Sequence, residues 1–422
     1  MRHAFAAVLL LLALTASAAT PRTGSPATTE NDDSCDIALQ PAATLLLPYF
    51  EVDFKASGSS ATTALFTIQN VSPSPRIANV TLWTDWGFPA FNFPIQLTGY
   101  GVQGINLYDL FTRGAIPQTE CSAAAVSSSL LTDLQLMFTT GRGTGAGAPC
   151  TAPVGYPHIF AVGYVTIDLV SACAAKNALA SDYFASLLYD NVLTGDYQQL
   201  ETERDRNVYA SGGPLVHIRA IPEGGAAGAI VATSLPYTFY DRFTPSPAMR
   251  KSDRRQLLPS LYAPRFINGG TGAFTTRLKV WREGITVGAC SGAGIAAASN
   301  SDMRIADVVR FDEHENATII NPQLGISAAP PPLPGPPATS WIFVANTSVF
   351  PAFSTSGDVA GWLYLNLDNG RMSGRPSQNW VIVSMFAGPT YATEATAPAL
   401  GNGCSPAVKA GAQIAPAPNL TP

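Results

Sequence analysis

The sequence predicts a mostly β protein made of two β-sandwich-like units, with short helical insertions in the first. Three observations carry that prediction. Apolar residues recur at every second position in short runs, the period of a half-buried strand. Turn formers separate those runs, with 36 Gly and 34 Pro in 422 residues. Charged residues make up only 13% of the chain, about half the usual share and too few for long solvated helices. A hydrophobic fraction of 46% is enough for a sizeable core.

The elements follow in order. In Tyr49–Phe54, Phe50, Val52 and Phe54 face one way, and Tyr49, Glu51 and Asp53 the other. Ala64, Phe66 and Ile68 alternate with Leu65, Thr67 and Gln69. Phe91, Phe93, Ile95 and Leu97 form a third strand, which Pro94 places at a sheet edge because proline cannot donate to a ladder. Helical spacing interrupts the pattern twice, near 121–140 (Val126, Leu130, Leu134, Phe138) and near 173–190 (Leu179, Tyr183, Phe184, Leu187, Leu188). Between them Val165, Ile167 and Leu169 return to alternation. The mixed-charge run Glu201–Arg206 reads as the solvated part of a hairpin.

Residues Phe243–Gln256 carry prolines and two dibasic pairs, Arg250-Lys251 and Arg254-Arg255, and read as an exposed linker open to trypsin. Beyond it Phe274, Thr276, Leu278 and Val280 alternate with Thr275, Arg277, Lys279 and Trp281, and Leu363, Leu365 and Leu367 with Trp362, Tyr364 and Asn366. Ala328–Thr339 is a polyproline II loop. Pro48-Tyr49-Phe50 before Thr62-Thr63-Ala64-Leu65 echoes Pro264-Arg265-Phe266 before Thr275-Thr276-Arg277-Leu278, which fits either a duplicated unit or two generic hairpins.

The N-terminus reads as a secretory signal. Arg2 precedes the apolar run Ala4–Leu14, and Ala16-Ser17-Ala18 offers small residues for cleavage after Ala18. That run is shorter than the roughly 20 residues a membrane span needs. The expected organisation is therefore signal peptide 1–18, disordered lead 19–34, first unit 35–242, linker 243–256, second unit 257–404 and an Ala/Pro-rich tail 405–422. The expected location is exported, either extracellular or periplasmic. Six cysteines, Cys35, Cys121, Cys150, Cys173, Cys290 and Cys404, predict three disulfides in an oxidising compartment. Cys121–Cys150 is the favoured pair, because it would pin the Gly-rich loop Gly141–Gly147.

Recognisable catalytic patterns are absent. Net charge is −5 with 24 Lys+Arg scattered against 29 Asp+Glu, which leaves no basic footprint for nucleic acid. There is no C-x-x-C, H-E-x-x-H or G-x-S-x-G, and Gly141–Gly147 lacks the following Gly-Lys-Ser/Thr of a phosphate loop. Asp312, Glu313 and Glu315 crowd around His314, an oxygen-rich set that suits calcium or, more simply, a solvated turn. Glu51 and Asp53 share a strand face, where a wet surface is a simpler reading than a catalytic pair. Trp83, Asp85 and Trp86 form a candidate binding segment. Trp281 and Trp362 are candidates for sugar stacking or for packing at a domain interface.

The segments LLLPYFEVDF (Leu45–Phe54), TTALFTIQNVSPSPRIANVTLWTDWG (Thr62–Gly87) and VVRFDEHEN (Val308–Asn316) resemble a group of exported bacterial proteins with no assigned activity. The resemblance implies a bacterial, exported origin and transfers no site residue. The sequence thus points to a non-catalytic extracellular or envelope protein that binds a surface ligand or envelope component. The alternative is a secreted hydrolase that attacks polysaccharide with carboxylates from distant strands.

Overall fold

The structure, a computed structural model, describes residues 39–56, 61–85, 87–122, 125–141, 154–155, 157–173, 178, 182–202, 208–220, 255, 258–282, 307–320, 347–351, 360–367, 378–387 and 391–400. The chain is mostly β, as the alternation predicts, and its described strands form four antiparallel sheets. Sheet I runs in the order β10 (Val216–Ile218), β1 (Thr44–Val52), β6 (Ala161–Val170), β3 (Arg76–Thr84) and β4 (Pro89–Leu97). Sheet II runs β5 (Val102–Asn106), β2 (Thr63–Asn70), β8 (Asp196–Thr202) and β9 (Val208–Pro214), with β7 (Leu193–Thr194) also on β2. Their inward faces, Leu45, Leu47, Val165 and Ile167 against Ala64, Phe66, Ile68 and Ile105, make one core. β4 is an edge strand, as Pro94 requires.

Sheet III consists of β11 (Leu261–Tyr262) and β12 (Arg265–Ile267), both on β17 (Ala360–Asn366), followed by β14 (Asp307–Asp312) and β15 (Ala317–Ile320). Sheet IV runs β16 (Thr347–Pro351), β13 (Thr275–Arg282), β18 (Asn379–Ala387) and β19 (Tyr391–Thr396). Phe266, Val308, Leu363 and Leu365 of sheet III meet Leu278, Val280, Val381 and Val383 of sheet IV in a second core.

The two units have the same topology. The order β1-β6-β3-β4 of sheet I returns as β12-β17-β14-β15 in sheet III, and β5-β2-β8-β9 of sheet II returns as β16-β13-β18-β19 in sheet IV. In each unit successive strands enter the two sheets in the same sequence. Register agrees as well. Phe50 lies across from Gly163 and Phe266 across from Gly361, while Trp83 opposes Tyr164 and Phe311 opposes Trp362. The Pro-x-Phe half of the sequence echo therefore marks equivalent places in a repeated fold.

Helices differ from expectation in extent. α1 (Leu107–Arg113) has no counterpart among the predicted elements, although its local signals are complete. The Asn106 side chain accepts from the Tyr108 N–H, Leu107, Leu110 and Phe111 turn inward, and Gly114 ends the helix at φ 66°. α2 (Ser128–Thr140) falls in the first predicted insertion but buries Leu134, Met137 and Phe138, leaving Leu130 outward. In the second insertion the described residues form one turn, α3 (Tyr183–Ser186), after which Leu187 bridges Val170, and residues 174–177 and 179–181 lie outside the described residues.

The units are not joined only by a linker. Trp281, Trp380 and Ile382 of sheet IV belong to the same buried cluster as the first core. Arg255, predicted to be an exposed tryptic site, is buried at 1% exposure and bridges Ala220. Arg250, Lys251, Arg254 and the polyproline segment Ala328–Thr339 lie outside the described residues.

The favoured cystine pairing is also corrected, because Cys121 bonds Cys173 with a Cα–Cα distance of 5.0 Å. Ile77 of β3 pairs with both Gln96 and Val170, and Cys121 lies against Gln96. That ladder brings the two cysteines to one end of sheet I. Cys35, Cys150, Cys290 and Cys404 lie outside the described residues.

Candidate functional site

Among the described residues a dense group of ionisable side chains lies where sheet IV meets the first unit. β13 alternates Leu278 and Val280 into its own core, so Lys279 must point the other way, toward β8 and β19. Its Nζ donates to Glu201 Oε1 at 2.6 Å and Glu394 Oε2 at 3.2 Å, and it lies 5.6 Å from the centroid of the Tyr49 ring. Glu394 also accepts from the Tyr197 hydroxyl at 2.8 Å and the Ser211 hydroxyl at 2.6 Å. Tyr49 donates to Glu51 at 2.9 Å, and Arg277 stands 3.9 Å from Glu201. Glu201, expected on a solvated hairpin, is buried by this arrangement.

Electrostatics follow from the burial. Loss of water, and then the Glu201 charge, raise the pKa of Glu51 above the ordinary carboxylate value. At Lys279 burial alone would lower the pKa, but Glu394 and Glu201 outweigh it and hold the ammonium charged. The buried Gln199 amide and Ser384 hydroxyl have no hydrogen-bond partner among the described residues. Glu51 and Asp53 do not act together. Asp53 accepts from the Lys55 and Ala56 N–H groups at 3.0 and 3.1 Å and closes a turn, while Glu51 bonds Tyr49.

A second buried network fastens the chain that leads into the second unit. Asp168 accepts from Arg255 at 2.9 Å, Thr44 at 2.7 Å and Tyr183 at 2.5 Å. Arg255 and Asp168 side chains are 1% and 0% exposed, so the pair is closed to any substrate.

The described part of the expected binding segment, Trp83 and Asp85, is buried. Trp83 is fully buried and stacks on Tyr164 with centroids 5.5 Å apart, and Trp281 meets Tyr164 edge-on at 5.9 Å. Trp83 is thus no surface platform, because the second unit covers its sheet. Trp281 packs at the interface between the units, one of its two expected roles. Asp85 is buried and contacts His158 Nε2 at 2.8 Å, and Trp86 lies outside the described residues. Sequence reasoning missed His158, which lies 73 positions away.

Asp312, Glu313 and Glu315 sit at the exposed β14–β15 hairpin but do not converge. Asp312 accepts from the His314 and Asn316 N–H groups at 2.8 and 2.9 Å and from the Asn316 amide at 2.9 Å. The Asn316 side chain first, then these N–H groups, hold its pKa below the usual value. Among the described residues no three His, Cys, Asp or Glu side chains form a metal-holding group.

Among the described residues aromatic pairs reach the surface at Phe274–Tyr391, edge-on with centroids 6.0 Å apart, and on the outward face of sheet III. Phe311 and Trp362 stack with centroids 4.2 Å apart and 8° between planes, and Trp362 is 36% exposed. Tyr364 lies beyond Trp362 on the same outward face, and Arg265 pairs with Trp362 across the ladder.

Among the described residues no helix is long and apolar enough to cross a membrane. Comparison with known proteins returns no matching family model, no matching curated protein and no matching solved structure.

Proposed function

We propose that this chain is an exported, non-catalytic binding or structural protein of the envelope or extracellular space, working through the outward faces of its sheets. The observation that carries this reading is the state of its converging carboxylates. Glu201 and Glu394 close on Lys279, and Asp168 closes on Arg255, in the interior. Charges held this way link sheets to one another, and their mutual attraction repays part of their lost hydration. The exposed chemistry includes the stacked Phe311–Trp362 pair on the outward face of sheet III. The Cys121–Cys173 bond supports an oxidising compartment.

Two measurements test the reading. N-terminal sequencing of the native protein should begin at Ala19, and a retained Met1 would argue against export. Incubation with a panel of polysaccharides should release no reducing ends. A second reading, a polysaccharide hydrolase, draws on Glu51, whose raised pKa beside Glu201 is the pattern of a general acid with a partner carboxylate. Hydrolysis lost in both Glu51→Gln and Glu201→Gln would favour it.

A further inference from the structure

The repeated topology turns one exposed face into a question with a structural precedent. In the first unit the stacked pair Trp83–Tyr164 lies on the outward face of sheet I and is completely covered, with Trp281 of sheet IV edge-on to Tyr164. Register puts Phe311–Trp362 at the equivalent place on sheet III. That pair is stacked in the same way but open to solvent. What covers the first face is a sheet of the next unit. What would cover the second, by the same rule, is the sheet that corresponds to sheet IV, and in this chain that is sheet II.

We infer that the outward face of sheet III seats the outward face of sheet II of a second copy, so that the protein assembles head to tail. The inference rests on the surface-acting reading above. The two faces suit one another. Sheet III presents the Trp362 ring with the exposed cation Arg265 across its ladder. Sheet II presents Thr67, Gly104 and Val102 around one exposed anion, Asp196, which accepts from the Thr67 hydroxyl at 2.7 Å. Val102 is 65% exposed, and nothing lies within 4 Å of where a Gly104 Cβ would be, so a ring can approach the backbone there. Tryptophan is enriched at interface cores, and Arg265 of one face is opposite in charge to Asp196 of the other. Two different patches meeting produce a ring or an open, extendable assembly and not a two-fold dimer.

The experiment is sedimentation velocity on the mature chain from ~1 to ~100 μM, a span that brackets weak self-association. Reversible, concentration-dependent growth beyond the dimer is expected. Trp362→Asp blocks one face and Gly104→Arg the other, and each should weaken association by about tenfold or more. Each variant's melting temperature should match that of the parent. The two variants mixed should form a one-to-one dimer and nothing longer, since each keeps one good face. A parent that stays monomeric throughout overturns the inference, as does a natively folded variant pair that assembles like the parent. A soluble glycan that quenches Trp362 fluorescence on a monomeric chain assigns the face to sugar and also overturns it. Polysaccharide hydrolysis by the parent would instead overturn the surface-acting reading, whatever the assembly state.

Discussion

Gly163 and Gly361 occupy the same point in the two units, each beneath the ring of a phenylalanine on the neighbouring strand. A Cβ on Gly163 would lie 2.1 Å from the Trp83 carbonyl oxygen and 3.0 Å from the Phe50 ring. On Gly361 it would lie 2.2 Å from the Phe311 carbonyl and 2.6 Å from the Phe266 ring. Neither backbone can yield without opening a ladder. Gly163→Ala and Gly361→Ala should therefore each cost about 1–3 kcal/mol, the range of an overpacked core. Denaturant midpoints measure it, and an unchanged midpoint in both would show that these ladders tolerate a methyl group.

Much of the fold was legible because strand period and burial agree. Ala64, Phe66 and Ile68, and Leu363, Leu365 and Leu367, face inward as the alternation predicts. The repeat was visible only as Pro48–Phe50 against Pro264–Phe266, since topology conserves strand order and leaves most side chains free to differ. α1 went unread although Asn106, Asp109 and Gly114 mark its ends, because seven residues give too short a stripe to stand out from strand alternation. The buried ion clusters were out of reach. Glu201 and Lys279 are 78 positions apart, and Glu201 sits in a charged run that reads as solvated unless its partner is known.

The Lys279 cluster gives an asymmetric prediction. Lys279→Met removes the only cation hydrogen-bonded to Glu201 and Glu394 among the described contacts, leaving two buried carboxylates facing each other. Breaking a buried pair in this way costs about 3–5 kcal/mol. Adding Glu201→Gln and Glu394→Gln to Lys279→Met should recover part of that loss, because the stranded charges go. Gln199→Met tests the same interior from the other side. It removes an amide without a partner, and should be neutral or stabilise by about 1–3 kcal/mol. If Gln199→Met destabilises as much as Lys279→Met, the amide has a role that its surroundings do not explain.

The Cys121–Cys173 bond closes a loop of 52 positions. Loop-closure entropy assigns such a crosslink about 4 kcal/mol, and removal of native bridges typically costs about 2–5 kcal/mol. Cys121→Ser with Cys173→Ser should lower stability by that order, and peptide mapping without reductant should recover the 121–173 linkage. A Cys121–Cys150 peptide in native material would restore the pairing favoured by the Gly-rich loop and overturn the one described here.

His217 on β10 makes stability depend on pH. Its Nδ1–H donates to the Gln40 carbonyl at 2.8 Å, and its unprotonated Nε2 accepts from the Gly195 N–H at 3.3 Å. Burial lowers its pKa from 6.5, and the carbonyls of Gln40 and Gly195 only partly oppose this. The nearby cation, Arg219, is held by the Gln40 side chain at 2.7 Å. The folded state therefore binds fewer protons than the unfolded state below pH 6.5. Stability from this residue is complete above that pH, falls as pH drops through it, and levels off once the folded ring is also protonated. Each tenfold difference in proton affinity is worth about 1.4 kcal/mol. Glu51 acts with the opposite sign. Its pKa is raised above 4.5, so the folded state holds its proton longer, and stability from it is lost as pH rises through the folded value. Urea unfolding at steps between about pH 4.5 and 8 should separate the two. His217→Gln should flatten the fall just below pH 6.5, and Glu51→Gln should remove the opposing trend just above pH 4.5. A His217→Gln protein that keeps the parent's slope below 6.5 would mean that another group carries that proton.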